Sequence, residues 1–101
     1  MAGIMCGGTG ASQPADAVVQ EICQKIRDQF IEKSGLNTDL FVPISYKTQQ
    51  VAGTNFFIKA HIGDNKCVHL RVYRMLPHQQ EALRLDKFLL DKTMEEEVVY
   101  F

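Results

Sequence analysis

The residues that could support nucleophilic chemistry are few and widely spaced. Cys67 and His69 stand two positions apart in "CVH", so on an extended strand their side chains point to the same face. A cysteine nucleophile needs a thiolate with a base directed at it, and side chains that stand parallel on one strand do not converge in that way. The pair therefore predicts no catalytic site.

A metal site and an acid–base pair are the remaining chemical possibilities. His61 shares the face of Cys67 and His69, and three such side chains could ligate zinc, but a fourth ligand and the spacing of a zinc finger are missing. We favour the solvated outer face of a sheet for these three. Residues 95–97 are consecutive glutamates, which is typical of a solvated acidic run. The sequence thus predicts a protein without catalysis, cofactor or metal.

Composition and charge exclude several classes of function. The chain has 101 residues, enough for a single domain, and 11 basic against 12 acidic residues give a net charge of −1. This balance provides no basic surface for nucleic acid or anionic membranes. The segment "MAGIMCGGTGASQPA" lacks the features of a signal peptide, and no window reaches transmembrane length. Three widely spaced cysteines favour reduced thiols in a cytoplasmic protein.

One segment predicts an amphipathic helix that positions part of the core. Asp16 is a suitable N-cap and Gly35 a suitable left-handed residue after the last turn, which bounds the helix at residues 17–34. Cys23 lies on the apolar side and is predicted to be a core residue. The apolar residues recur with helical period: Val18, Val19, Ile22, Cys23, Ile26, Phe30 and Ile31.

After this helix the apolar period changes to two, which predicts strands in residues 40–51, 54–62, 67–73 and 82–91. A phase slip in the last of these indicates a β-bulge. The final "VVYF" is either a short strand or a docked tail. One helix followed by four or five antiparallel strands predicts an α+β fold with the helix on one face of the sheet. In residues 40–51 one face should carry Val42, Ile44, Tyr46 and Thr48.

Three apolar segments stand where loops are usually polar: "IMCGG" (4–8), "QQVAG" (49–53) and "MLPH" (75–78). Exposed apolar loops are candidate binding surfaces. Alternate turns of a meander lie at the same end, so 49–53 and 75–78 project together and "GDNK" projects from the other end. Residues 1–13 predict a flexible arm without structure of its own. The arm reaches the same end of the sheet as residues 49–53 and 75–78 if it runs back along the sheet.

These segments resemble the stefin branch of the cystatin family, which inhibits papain-like cysteine proteases. "VAGTNFFIK", "GDNK", "VHLRVY" and "LPH" follow one another at stefin spacing, and the likeness runs from about residue 5 to residue 101. Six residues match the inhibitory motifs of the family: Gly7, Gln49, Val51, Gly53, Leu76 and Pro77. Gln50 departs from the usual Gln-Val-Val-Ala-Gly at its variable position, and about three additional residues precede "MCG".

The resemblance implies a cystatin fold and a reversible, tight-binding, substrate-competitive inhibitor of cathepsins L, S, H and B and of papain. A wedge of the arm and two hairpin loops would enter the protease cleft. The implied contacts are, in the arm, Ile4, Met5, Cys6, Gly7 and Gly8; in the first hairpin, Gln49, Gln50, Val51, Ala52 and Gly53; and in the second hairpin, Leu76, Pro77 and His78.

Two other interpretations stay open. A cystatin-fold interaction or self-assembly module without protease inhibition is the first, since strands on either side of residues 49–53 could exchange between chains. A fold relative with a ligand-binding or enzymatic role is the second, and the lack of converging polar groups argues against it. A monomer is expected, with a domain-swapped or Cys6-linked dimer as an alternative.

Overall fold

Residues 17–34 form the helix that their period predicts. In the computed structural model, which describes residues 10–75 and 83–101, helix α1 spans Ala17–Ser34. Asp16 Oδ1 accepts a hydrogen bond from the backbone N–H of Val19 at 3.0 Å, which satisfies one of the free donors of the first turn. Gly35 ends the helix with a φ of 76°. Both predicted caps are confirmed.

The buried face of α1 is narrower than the predicted apolar stripe. Val18 is 48% exposed, because a spacing of four residues drifts by about 40° per step around a helix of 3.6 residues per turn. Burial raises the pKa of the Cys23 thiol to about 12, in agreement with its predicted place in the core. The helix residues that are buried against the sheet are Val19, Ile22, Cys23, Ile26 and Phe30.

Within residues 10–75 and 83–101, five antiparallel strands form one sheet in chain order. The predicted α+β arrangement, with one helix on a sheet of four to five antiparallel strands, is confirmed. Register shifts in the last strand pair confirm the bulge expected there. The described residues include no helix that is both long and apolar enough to cross a membrane. The strands are β1 Gln13–Pro14, β2 Val42–Val51, β3 Gly53–Gly63, β4 Lys66–Arg74 and β5 Leu83–Thr93.

The described part of the N-terminal segment runs along the edge of the sheet. Gln13 pairs with Tyr46 in the β1–β2 ladder, and Gly10 N donates to Thr48 O at 2.9 Å. The prediction that residues 1–13 have no structure of their own is therefore wrong for residues 10–13. The prediction relied on composition, and a segment rich in Gly, Ser and Thr gives no indication of a strand. The backbone of such a segment can still form hydrogen bonds with an open edge of a sheet. Residues 1–9 lie outside the described residues.

The predicted alternation in β2 is wrong at its start. A register shift between Pro43 and Ser45 interrupts the pairing with β3, and a bulge of this kind inverts which residues face the core. Val42 is therefore 41% exposed, whereas Pro43 is buried. Strict alternation would place Phe41 on the face opposite to Val42, yet the centre of its ring lies 5.2 Å from that of the core residue Phe30.

The outer face of the sheet is covered rather than solvated. The C-terminal segment, residues 94–101, lies across it and buries the side chain of Val98 completely. The ring of Phe57 lies 5.4 Å from that of Tyr100 and 5.8 Å from that of Phe101. The prediction of a solvated outer face is thus wrong for Cys67 and His69, which are buried, whereas His61 is partly exposed. The segment "VVYF" docks without forming a strand.

Cations of the sheet anchor the C-terminal segment through its main chain. Lys59 Nζ donates to Met94 O at 2.7 Å and to Glu96 O at 3.2 Å. Arg71 donates to Phe101 O at 2.8 Å. His69 lies beneath the segment, 2% exposed, and its Nε2 has no hydrogen-bond partner among the described residues. Burial lowers the pKa of His69 and neighbouring Lys92 lowers it further, while Glu96 opposes the shift.

This environment predicts a loss of stability in mild acid. The unfolded chain binds a proton at His69 near pH 6.5, whereas the folded chain resists it because its pKa is lowered. The free energy of unfolding should therefore fall as the pH drops below about 6.5, by at most about 1.4 kcal/mol per pH unit from this group. Urea denaturation between pH 7.5 and 5 measures the slope. His69→Gln should flatten it, and a variant with the wild-type slope would show that another group titrates.

Candidate functional site

The link between β2 and β3 is a tight hairpin with a small apolar tip. Val51 pairs with Gly53, so Ala52 alone connects the two strands. Val51 is 49% exposed, so its side chain is accessible to another molecule. The tip therefore presents one apolar side chain, one methyl group and the backbone.

Polar side chains support the hairpin from within. Gln49 and Asn55 face each other across β2 and β3, and Asn55 Nδ2 donates to Gln49 Oε1 at 2.9 Å. Both residues are buried, at 6% and 5% exposure. Gln49 thus contributes to the hairpin through its contact with Asn55 rather than through exposed surface. Gln50 is exposed, and its side-chain oxygen accepts a long hydrogen bond from Thr54 Oγ1 at 3.5 Å.

Gly53 is required by conformation and by space. Its φ of 115° lies in the region that favours glycine. A Cβ at this position would also lie 2.5 Å from the backbone oxygen of Arg74 and 2.7 Å from the hydroxyl oxygen of Tyr73. The hairpin is therefore packed against β4 at its tip, and a side chain at position 53 would push the two apart.

The ends of β4 and β5 lie beside this hairpin, as the order of turns predicts. Thr54 pairs with Arg74, and Arg74 pairs with Leu83. The "GDNK" turn stands at the opposite end, where Gly63 pairs with Lys66. The predicted second-hairpin contacts lie outside the described residues: Leu76, Pro77 and His78.

The N-terminal segment approaches the same end of the sheet. It runs antiparallel to β2 and reaches Gly10, the first described residue, beside Thr48. Thr48 is three positions before the exposed Val51 in β2. The predicted arm contacts lie outside the described residues: Ile4, Met5, Cys6, Gly7 and Gly8.

Sequence reasoning did not find the residues that support the hairpin from β4 and β5. The Tyr73 hydroxyl donates to Ala52 O, and the Arg84 guanidinium lies 5.2 Å from the centre of the Tyr73 ring. Both residues occupy polar positions of their strands, where a solvated role is the usual one. The available signal was their register, Tyr73 opposite Asn55 and Arg84 opposite Tyr73, and it depends on strand pairing that one sequence does not specify.

Comparison with known proteins decides the family. Residues 7–95 match the Cystatin domain family, which is most of the chain and includes the first hairpin.

The chain belongs to the cystatin family.

Among relatives of this cystatin are the Cystatin-B proteins of Pan troglodytes and Homo sapiens. Each is 44% identical over 98 residues, which cover 97% of the chain and 100% of the relative. Leukocyte cysteine proteinase inhibitor 1 of Sus scrofa is 41% identical over 98 residues, covering 97% of the chain and 95% of the relative. The predicted stefin branch is confirmed, since Cystatin-B proteins are among these nearly full-length relatives. Family membership also supports the prediction that this chain is not an enzyme.

The described hairpin of this cystatin carries no reactive side chain. Cys67 and His69 lie instead beneath the C-terminal segment, where burial raises the pKa of the Cys67 thiol. Cys67 Sγ contacts Met94 Sδ at 3.2 Å rather than a base. The hairpin can therefore act on another protein through shape and apolar contact, not through nucleophilic chemistry.

The packing of Gly53 predicts a large and specific effect of adding one methyl group. Gly53→Ala should lower the free energy of unfolding by roughly 2–6 kcal/mol, since backbone strain costs about 1–3 kcal/mol and steric overlap a similar amount. Gly63→Ala is a matched control, because Gly63 has a φ of 139° but nothing within 4 Å of its Cβ position. Gly63→Ala should lower the free energy of unfolding by roughly 1–3 kcal/mol. Urea denaturation measures both, and equal losses would contradict the packing argument.

Proposed function

We propose that this cystatin is a reversible, tight-binding, substrate-competitive inhibitor of papain-like cysteine proteases, among them papain and cathepsins L, S, H and B. The observation that carries the proposal is the hairpin tip formed by Val51, Ala52 and Gly53. It is apolar, exposed at Val51 and rigidly supported. The relative named as a cysteine proteinase inhibitor supports the same class of target.

The proposed mechanism is obstruction of the protease cleft. The tip enters the cleft with the arm on one side and residues 76–78 on the other, and together they cover the catalytic cysteine without offering it a peptide bond in the geometry of a substrate. Gly53, with its positive φ, turns the backbone away from the extended form that a protease binds. Gly7 would allow the arm to bend in the same way.

Rigidity makes this mode of binding effective. A loop that is already ordered loses little conformational entropy on binding, so more of the contact energy appears as affinity. The buried Gln49–Asn55 pair supplies that order at the first hairpin. An interface of standard size with such preorganisation reaches nanomolar dissociation constants or better. We also propose a cytoplasmic location. Cys23 and Cys67 are buried free thiols, and free thiols are typical of proteins in a reducing compartment.

Inhibition of papain, followed with a dipeptidyl fluorogenic substrate, tests the proposal directly. Wild-type chain should raise the apparent KM without changing kcat, as a competitive inhibitor does. The absence of inhibition at micromolar concentration would rule the proposal out.

A charge at the exposed valine of the first hairpin should weaken protease inhibition. Val51→Asp should weaken inhibition by roughly 30-fold or more, because desolvating a carboxylate in an apolar cleft and losing a central contact together cost at least about 2 kcal/mol. Val42→Asp is the matched control, as Val42 begins the same strand and is also about half exposed, at 41% against 49%. It should inhibit like the wild type, and an equal effect of both substitutions would remove the hairpin from the interface.

The arm should act mainly on dissociation. Deleting residues 1–8 leaves the Gly10–Thr48 hydrogen bond and β1 in place. It should raise the dissociation rate constant by roughly tenfold and change the association rate constant little, since contacts made after docking determine how long a complex lasts. Stopped-flow and displacement kinetics with papain measure the two rates. Unchanged dissociation would exclude the arm from the contact.

Self-assembly by strand exchange is a second candidate. Ala52 alone connects two strands of 10 and 11 residues, and Gly53 is tightly packed. A connection of one residue favours opening and exchange between chains. An exchanged dimer would extend residues 51–53 and remove the tip. Size-exclusion chromatography with reductant separates this dimer from a Cys6-linked one, and inhibition confined to the monomer fraction would support the exchange.

A further inference from the structure

The side chain of Tyr73 in β4 contacts the tip of the first hairpin. The Tyr73 hydroxyl donates a hydrogen bond to Ala52 O, the carbonyl of the one residue that links β2 to β3. Tyr73 is the penultimate residue of β4, so it lies at the end of the sheet from which the hairpin projects. The contact joins segments 21 positions apart in the chain.

The tyrosine is held in place on both sides. On one side its cross-strand partner is Asn55, which is itself bonded to Gln49. On the other side its partner is Arg84, whose guanidinium lies over the ring at 5.2 Å. Arg84 Nε in turn donates to Asp86 Oδ1 at 2.5 Å. A row of four side chains therefore crosses β2 to β5: Gln49, Asn55, Tyr73 and Arg84.

Gly53 leaves the space that the tyrosine uses. A Cβ at position 53 would lie 2.7 Å from the hydroxyl oxygen of Tyr73 and 2.9 Å from its Cε1. Glycine is thus the residue that allows the phenol ring to reach Ala52. The backbone of the hairpin and the side chain of Tyr73 form one packed unit.

We propose that Tyr73 is a positioning residue for protease inhibition. Its hydroxyl holds Ala52, and with it Val51, in the conformation that enters the cleft, and it fixes the first hairpin relative to the β4 and β5 ends that flank residues 76–82. This role rests on the proposed function. Without the hydroxyl, the hairpin becomes ordered only when it binds the protease. The conformational entropy lost in that step reduces the affinity.

Tyr73→Phe tests the role with little other change, because the ring and its contact with Arg84 remain. Inhibition of papain should weaken roughly three- to tenfold, the worth of one net hydrogen bond. Backbone NMR order parameters of residues 51–53 should fall in the free protein. The midpoint of thermal unfolding should change little, since the bond lies at an exposed tip.

Tyr46→Phe is the matched control. It removes the hydroxyl that donates to Asp16 Oδ2 at 2.8 Å and lies 3.4 Å from Gln13 Oε1, but Tyr46 lies away from the hairpin and supports the N-cap of α1. It should lower the unfolding midpoint and leave the inhibition constant unchanged. A purely structural role for Tyr73 would make the two variants behave alike, which would overturn the proposal.

The outcomes separate this inference from the proposed function. Weaker inhibition together with lower order parameters supports the positioning role, and either quantity at its wild-type value overturns it. If the wild-type chain does not inhibit, the proposed function fails and this role fails with it. The order parameters would then show separately whether the Tyr73 hydroxyl fixes the hairpin.

Discussion

Phe57 and Ile58 point to opposite faces of β3, and both are completely buried. Helix α1 covers the face of Ile58, and the C-terminal segment covers the face of Phe57. A central strand that is buried on both faces has a fixed position, since its packed side chains occupy single rotamers. The loops at its ends are therefore held in place as well. The position of the first hairpin, at the N-terminal end of β3, depends on this packing.

Between β3 and the tip of the first hairpin, polar contacts rather than apolar ones hold the backbone in place. The Gln49–Asn55 pair lies between the packed strand and the tip, and the Tyr73 hydroxyl reaches the tip itself. Buried polar groups that satisfy one another specify a single arrangement, because leaving either one unpaired is costly. The result is an exposed apolar loop with a fixed backbone. Such a loop is suited to block a cleft by shape, and it has no need of a reactive side chain.

Much of the fold was predictable because its signals are local. The helix carried its period, its Asp16 N-cap and its Gly35 terminus within one segment, and the strands carried a period of two. The errors arose where pairing overrides the pattern. A bulge near Pro43 inverted the start of β2, the sheet edge bound residues 10–13, and the C-terminal segment covered a face whose polar residues suggested solvent. Of the proposed site, Val51, Ala52 and Gly53 were predicted from their apolar character and their motif, whereas the contacts that Tyr73 and Arg84 make were not predicted.

The sequence by itself determined the family, the α+β class and the end of the sheet from which residues 49–53 project, because short-range patterns and the order of turns are sufficient for these. Tertiary structure alone decided that Gln49 is buried, that Cys67 and His69 lie under the C-terminal segment, and that Tyr73 bonds to Ala52. The contacts of Cys67 and Tyr73 join residues 27 and 21 positions apart in the chain. Such contacts follow from strand register and from the packing of layers, which no local pattern specifies.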